Sequence, residues 1–243
     1  MEWSAMSANR KNSNPRQRSS VSALRREMRS LLKQYRDAEY LDRITELVPT
    51  GMEFLGIRVP VIRSLARQFG KEHQELGVDE TCELYDHCLE KPCREEILFV
   101  QELLAKLRRK FDLSMWERVE KWVDQIDNWE VCDQLSKHVI GSLVNKQPEL
   151  VPHLRRWVCS KNPWKRRAAL ATGVALNQGG NCNVDLVIDL CEPLMREADP
   201  IVQKAIGWAL REAAKHDSRQ IEVFVTKVRS YALPRLIKDF KAS

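Results

Sequence analysis

The chain has 243 residues, 43% of them hydrophobic and 30% charged, with a net charge of +6 and a pI near 9.0. That is enough for one large domain with a buried core. No apolar run approaches the roughly 18 to 20 residues a membrane span needs, and the N-terminus lacks the apolar stretch of a signal peptide. Membrane-embedded and secreted classes are therefore set aside, and a cytoplasmic protein (nucleoid-associated in a bacterium) is expected.

Residues 1–20 are rich in Ser, Asn and Arg and have almost no apolar periodicity. They are expected to form a disordered basic arm ahead of a single domain over 21–243. Beyond the arm the pattern is helical almost everywhere, with apolar residues recurring at three and four, as in Ile97, Val100, Leu103, Leu104 and Leu107. Glycine and proline sit between these stretches, at Pro49-Thr50-Gly51, Gly56 to Pro60, Pro148, Pro163, Gly179-Gly180, Pro200 and Pro234. No alternating stretch flanked by hairpin turn dipeptides appears, so no sheet is expected. The seven cysteines include no CxxC pair, and no histidine set completes a metal-ligand spacing around Cys82, Cys88 and Cys93. They read as reduced thiols packed as small apolar residues.

Charge is uneven along the chain. Residues 31–150 hold 17 basic and 23 acidic residues, whereas residues 151–243 hold 16 basic and 9 acidic. An acidic stretch followed by a basic one points to a polyanion partner for the C-terminal part, with an ordinary solvated surface as the alternative.

Two segments of the second half align with each other. Asn162-Pro163-Trp164-Lys165-Arg166-Arg167-Ala168-Ala169 lies over Asp199-Pro200-Ile201-Val202-Gln203-Lys204-Ala205-Ile206 at a shift of 37, and Asp127-Asn128-Trp129 lies over Asn162-Pro163-Trp164 at a shift of 35. An N-cap residue followed by Pro at the first helical position starts each of the first two. A period of this length with an Asx-Pro start is the signature of stacked helix pairs of the HEAT class. The expected fold is thus all-α, a HEAT-like solenoid with a basic concave face, and an irregular helical bundle is the alternative. Three tryptophans in these segments share a helical face with a charged residue: Trp129 with Asp133, Trp164 with Arg167, and Trp208 with Arg211. Trp116, Trp122 and Trp157 are expected in the core. Glu130 lies off the face of Trp129 and reads as solvated. His138 and His153 have no evident partner and read as core or surface residues, and Cys132 is given no chemistry.

These segments, together with Phe54-Leu55-Gly56-Ile57-Arg58-Val59-Pro60, Arg63 and Lys204-Ala205-Ile206-Gly207-Trp208-Ala209-Leu210-Arg211-Glu212, resemble the AlkD family of HEAT-like-repeat alkylpurine DNA glycosylases. The resemblance runs over most of residues 35–240. It implies a site built from Trp129, Asp133 and Trp208, with Arg167 holding the DNA backbone. The family's known members remove purines made cationic by alkylation, such as 3-methyladenine and 7-methylguanine, and need not draw the base into a pocket, unlike base-flipping glycosylases. A cationic base is already a good leaving group, so one carboxylate suffices where sugar-cleaving enzymes commonly use two. Asp133 would stabilise the oxocarbenium character of the sugar and orient a water, between the faces of Trp129 and Trp208. Lys165, Arg166 and Arg211, and more distantly Arg63, would join Arg167 on flanking phosphates. The partner implied is duplex DNA carrying alkylated purines, bound by a monomer without a membrane partner. No metal or organic cofactor and no Schiff-base amine is implied. The chain departs from the best-known members at Asn128, where they carry an aromatic, and at Glu130-Val131-Cys132-Asp133, where they have Asp-x-Val-Asp. A non-catalytic DNA-structure binder and a protein-binding scaffold are the competing functional readings.

Overall fold

The computed structural model describes residues 15–178 and 183–238. In chain order the helices are α1 (Pro15–Lys33), α2 (Ala38–Leu47), α3 (Val59–Glu72), α4 (Val78–Leu89), α5 (Arg94–Leu107), α6 (Trp116–Val123), α7 (Trp129–Leu135), α8 (Gly141–Lys146), α9 (Val151–Trp157), α10 (Pro163–Gln178), α11 (Val184–Cys191), α12 (Pro200–Ala214), α13 (Ser218–Val228) and α14 (Pro234–Ile237). Among the described residues there is no strand; one isolated bridge joins Glu53 to Cys93. Helix is already present from Pro15, inside the segment read as a disordered arm, so helical structure starts earlier than the apolar pattern suggests. The remainder of that segment, residues 1–14, lies outside the described residues.

The helices start where the sequence supplies an oxygen for an orphan amide. Asn128 accepts from the Val131 amide at 3.0 Å, Asn162 from Trp164 at 2.9 Å, Asp199 from Ile201 at 3.0 Å and Asp217 from Gln220 at 2.8 Å. Pro163 and Pro200 follow two of these caps at the first helical position, where the missing N–H costs nothing.

Helix pairing produces two layers. One layer runs α3, α5, α7, α10 and α12, each packed on the next; the other contains α4, α9, α11 and α13, packed behind them. This is the HEAT-like arrangement. Side-chain pairs that tie neighbouring repeats have partners about one repeat apart: Arg94 with Glu130 (36 residues), Asp133 with Arg167 (34), Arg155 with Asp189 (34) and Lys227 with Glu192 (35). A near-constant separation is what a stack demands when each repeat touches mainly its neighbours.

The core fills the space between layers. Trp116, Trp122 and Trp157 are buried, and the rings of Trp116 and Trp157 stack with centroids 5.1 Å apart. Cys82, Cys88, Cys93, Cys132 and Cys191 are buried as small apolar residues, but Cys159 is exposed at the end of α9. Small residues let α7, α8 and α10 approach closely: a Cβ on Gly141 would stand 3.1 Å from the Ala175 Cβ.

Candidate functional site

The first turn of α7 is fixed from below by loop 47–57. Asp127 accepts from the Gly51 amide at 2.7 Å and from the Thr50 hydroxyl. The Trp129 indole Nε1 donates to the Leu47 carbonyl at 3.3 Å, anchoring the ring against the C-terminal end of α2.

Glu130 is buried, contrary to its reading as a solvated residue. Its carboxylate takes a two-pronged bond from Arg94, Nε to Oε2 at 2.6 Å and Nη2 to Oε1 at 2.8 Å. Arg94 is fully buried and also donates to Glu95 Oε1 at 2.8 Å. Glu95 in turn accepts three successive backbone amides, from Leu55 at 2.9 Å, Gly56 at 3.2 Å and Ile57 at 3.3 Å. The Phe54-Leu55-Gly56-Ile57 motif is thus a carboxylate-binding turn. Gly56 has φ +75°, and a Cβ there would come within 2.8 Å of the Asp37 carbonyl oxygen. Only glycine adopts that turn without strain.

On its other side α7 faces a cleft of about 260 Å³. Trp129, Glu130, Asp133 and Gln134 line it from α7, Ala171, Val174, Ala175 and Gln178 from α10, and Trp208 from α12. Lys137 completes the wall from the π-helical turn Ser136–Ile140, which runs without a break from α7 into α8. Such turns recur at functional sites. The structure therefore brings Trp129 and Asp133 of one segment and Trp208 of another around one space. Both indoles are half-buried, and Trp208 also packs against the core.

Asp133 is the carboxylate of this cleft whose partner comes from the next repeat. Arg167 forks it, Nε to Oδ1 at 2.9 Å and Nη2 to Oδ2 at 2.7 Å, and gives Nη1 to the Ile201 carbonyl at 2.6 Å. The side chains of Arg167 and Asp133 are 7% and 17% exposed. Burial pushes the Asp133 carboxyl above the usual carboxylate range; the Arg167 guanidinium opposes that shift and the Glu130 charge adds to it. The Arg167 fork favours the ionised form of Asp133 against that burial.

The cations expected on DNA phosphates are mostly committed within the protein. All three guanidinium nitrogens of Arg167 are engaged as described, so its observed partner is Asp133 in place of a phosphate. Arg166 pairs with Glu197 at 2.7 Å, Lys165 with Asp124 at 2.8 Å, and Arg63 with Glu102 at 2.9 Å. The Arg211 guanidinium lies against Gly207. Trp164 packs on the core, and its carbonyl accepts from the Cys132 thiol at 3.7 Å. His153 accepts from the Trp116 indole at 2.6 Å, and the His138 ring bonds Gln134 at 2.9 Å. Gln134 and Lys137 are cleft residues that the sequence reading missed; Lys137 stands four residues after Asp133, a spacing that places both on one face. Among the described residues, no group of three or more His, Cys, Asp or Glu side chains comes together that could hold a metal ion.

The family model for the DNA alkylation repair enzyme matches residues 28–239. Comparison with curated proteins finds no match. Among solved structures, the chain is similar to a predicted DNA alkylation repair enzyme from Enterococcus faecalis, with TM-score 0.67, 22% identity and 93% of each chain covered. It is also similar to AlkD2 from Streptococcus mutans, with TM-score 0.59, 14% identity, 93% of this chain and 100% of that one covered.

Proposed function

Because the chain belongs to the DNA alkylation repair enzyme family, we propose that it is a monofunctional DNA glycosylase that hydrolyses the N-glycosidic bond of cationic alkylated purines, such as 3-methyladenine and 7-methylguanine, in duplex DNA. One observation carries this reading: a cleft lined by Asp133 and two indoles, with the ionised form of Asp133 favoured by the Arg167 fork. The other carboxylate at the cleft, Glu130, is forked by the fully buried Arg94 and its side chain is less exposed than that of Asp133, 10% against 17%, so Asp133 is the acid better placed to act.

One group is what the chemistry needs. A purine alkylated on a ring nitrogen leaves as a neutral base and needs no proton from the protein. Positive charge builds on the deoxyribose as the bond breaks. Asp133, held in a partly desolvated site, stabilises that charge more strongly than it could in water. Each Asp133 oxygen has two acceptor positions and Arg167 uses one of each, so acceptor capacity remains for an attacking water. The water adds to C1′ and its proton is lost to solvent as the product forms. The Trp129 and Trp208 faces favour the cationic sugar or base by about 0.5–2 kcal/mol each. The competing reading, a DNA-structure binder without chemistry, draws on the same fork, since a carboxylate already tied to an arginine can be purely structural.

The test is release of 7-methylguanine from methylated duplex DNA by the wild type beside Asp133→Asn. The variant is expected to lose about 10²-fold or more in single-turnover rate while still binding the duplex. A wild type that binds methylated DNA and releases no base overturns the proposal in favour of the non-catalytic binder.

A further inference from the structure

We propose that Arg108 and Lys137 form a phosphate-binding subsite beside the reacting cleft, one that grips the backbone of the DNA strand next to the lesion. The inference rests on the glycosylase reading for its ligand, a phosphodiester, and on the geometry for its place.

A second cavity of about 430 Å³, larger than the first, opens between the C-terminal end of α5, the π-helical turn with α8, and the end of α10. Arg108, Lys137, His138, Ser142, Asn145 and Gln178 contribute its polar lining. Lys137, Ala175 and Gln178 belong to both cavities, so the two spaces adjoin. A chain of sugars and phosphates that places one deoxyribose against Asp133 has its next phosphate within reach of the shared wall.

The charge state of this wall differs from that of the residues expected to bind DNA. Arg167, Arg166, Lys165 and Arg63 each already hold a carboxylate. Giving any of them to a phosphate exchanges one anion for another and yields little net attraction. Lys137 is exposed, and no carboxylate partner is found for it among the described residues. The Arg108 guanidinium, just past the end of α5, donates to the Ala105 carbonyl at 3.3 Å, a neutral partner. These two cations therefore meet a phosphate without giving up an ion pair. Burial holds the His138 imidazole below its ordinary pKa, and Lys137, Arg63 and Arg108 lower it further, against an opposing pull from Glu102. Gln178, at the junction, supplies amide hydrogen bonds to sugar or base edges.

The experiment is a salt titration of binding to a fluorescent duplex containing a tetrahydrofuran abasic analogue. Wild type is compared with Arg108→Gln, Lys137→Gln, their combination, and Arg219→Gln as an exposed cation on α13 away from the cavity. Removing one cation from a phosphate lowers the slope of log affinity against log salt by about 0.9 on B-DNA. Each single variant is expected to show about one such step, the double variant about two, and Arg219→Gln none. Both side chains are exposed, so thermal melting at the wild-type temperature checks that folding is intact. A double variant with the wild-type slope, or an equal decrease in Arg219→Gln, overturns the subsite. Because the readout is binding, it separates from the proposed chemistry: a protein that releases base with an unaltered slope loses the subsite alone, and one that binds through these residues without releasing base loses the glycosylase reading alone.

Discussion

Replacing Arg167 with methionine tests the pairing at the centre of the cleft. The substitution keeps much of the buried stem and removes three hydrogen bonds, two to Asp133 and one to the Ile201 carbonyl. It leaves a carboxylate that is 17% exposed without its counter-charge. Breaking a buried pair from one side costs about 3–5 kcal/mol, and the partial opening of Asp133 to the cleft favours the lower end. At about 2–4 °C per kcal/mol for a domain of this size, a 3 kcal/mol loss lowers Tm by about 6–12 °C. Asp133→Asn alone is also destabilising, because it strands a buried guanidinium. The double variant removes both charges and is expected to cost less than the two singles summed, with a coupling of about 1.5–3 kcal/mol. Urea unfolding followed by far-ultraviolet circular dichroism at neutral pH gives all three values. Additivity within about 0.5 kcal/mol would falsify the claim that the fork holds Asp133 in place.

Three further outcomes follow from the geometry. Since burial raises the Asp133 carboxyl, its ionised form is lost as pH falls through a value above the ordinary carboxylate range, and single-turnover base release should fall with it; a rate that stays level down to the pH at which ordinary carboxylates titrate contradicts this. Glu130→Gln removes a like charge that raises Asp133, so the acid limb moves to lower pH, while the buried Arg94, left with Glu95 as its one charged partner, costs about 1–3 kcal/mol in denaturant unfolding; an unmoved limb refutes the electrostatic part. Gly56→Ala forces a non-glycine residue to φ +75° and a Cβ to 2.8 Å from both the Asp37 oxygen and the Leu41 Cβ, and is expected to cost at least about 2 kcal/mol, which unfolding midpoints measure directly.

The helical class and the repeat were legible because each rests on local signals. Asn162-Pro163 and Asp199-Pro200 carry cap and first-turn chemistry in adjacent residues, and the structure uses both as written. The gathering of Trp129, Asp133 and Trp208 at one cleft was reachable through spacing and resemblance together. Pairings between repeats were not legible. Arg167 reads as a surface cation because the carboxylate it serves is 34 residues away. Glu130 reads as solvated when α7 is taken as a helix with one buried face, but loop 47–57 and α5 cover the other face as well. Arg94, Glu95 and Glu96 look like ordinary charges of a first helical turn; that all three are buried depends on α1 and loop 53–57 folding over them, where Arg25 and Arg29 pair with Glu96.

The run of hydrogen bonds from the Leu55-Gly56-Ile57 amides through Glu95 and Arg94 to Glu130 also has an evolutionary consequence. Each member is buried and bonded to its neighbours in the run, Arg94 to both Glu130 and Glu95, so losing one leaves a charge or an amide in the interior short of a partner. Drift at these positions has to be concerted. Among descendants of this sequence, positions 94, 95 and 130 should change together or stay fixed, with glycine retained at 56 whenever the acid at 95 is retained, whereas an exposed charge such as Arg219 is free to wander. Such linked variation would mark the strut beneath the cleft even in a relative whose tryptophans and aspartate have been replaced.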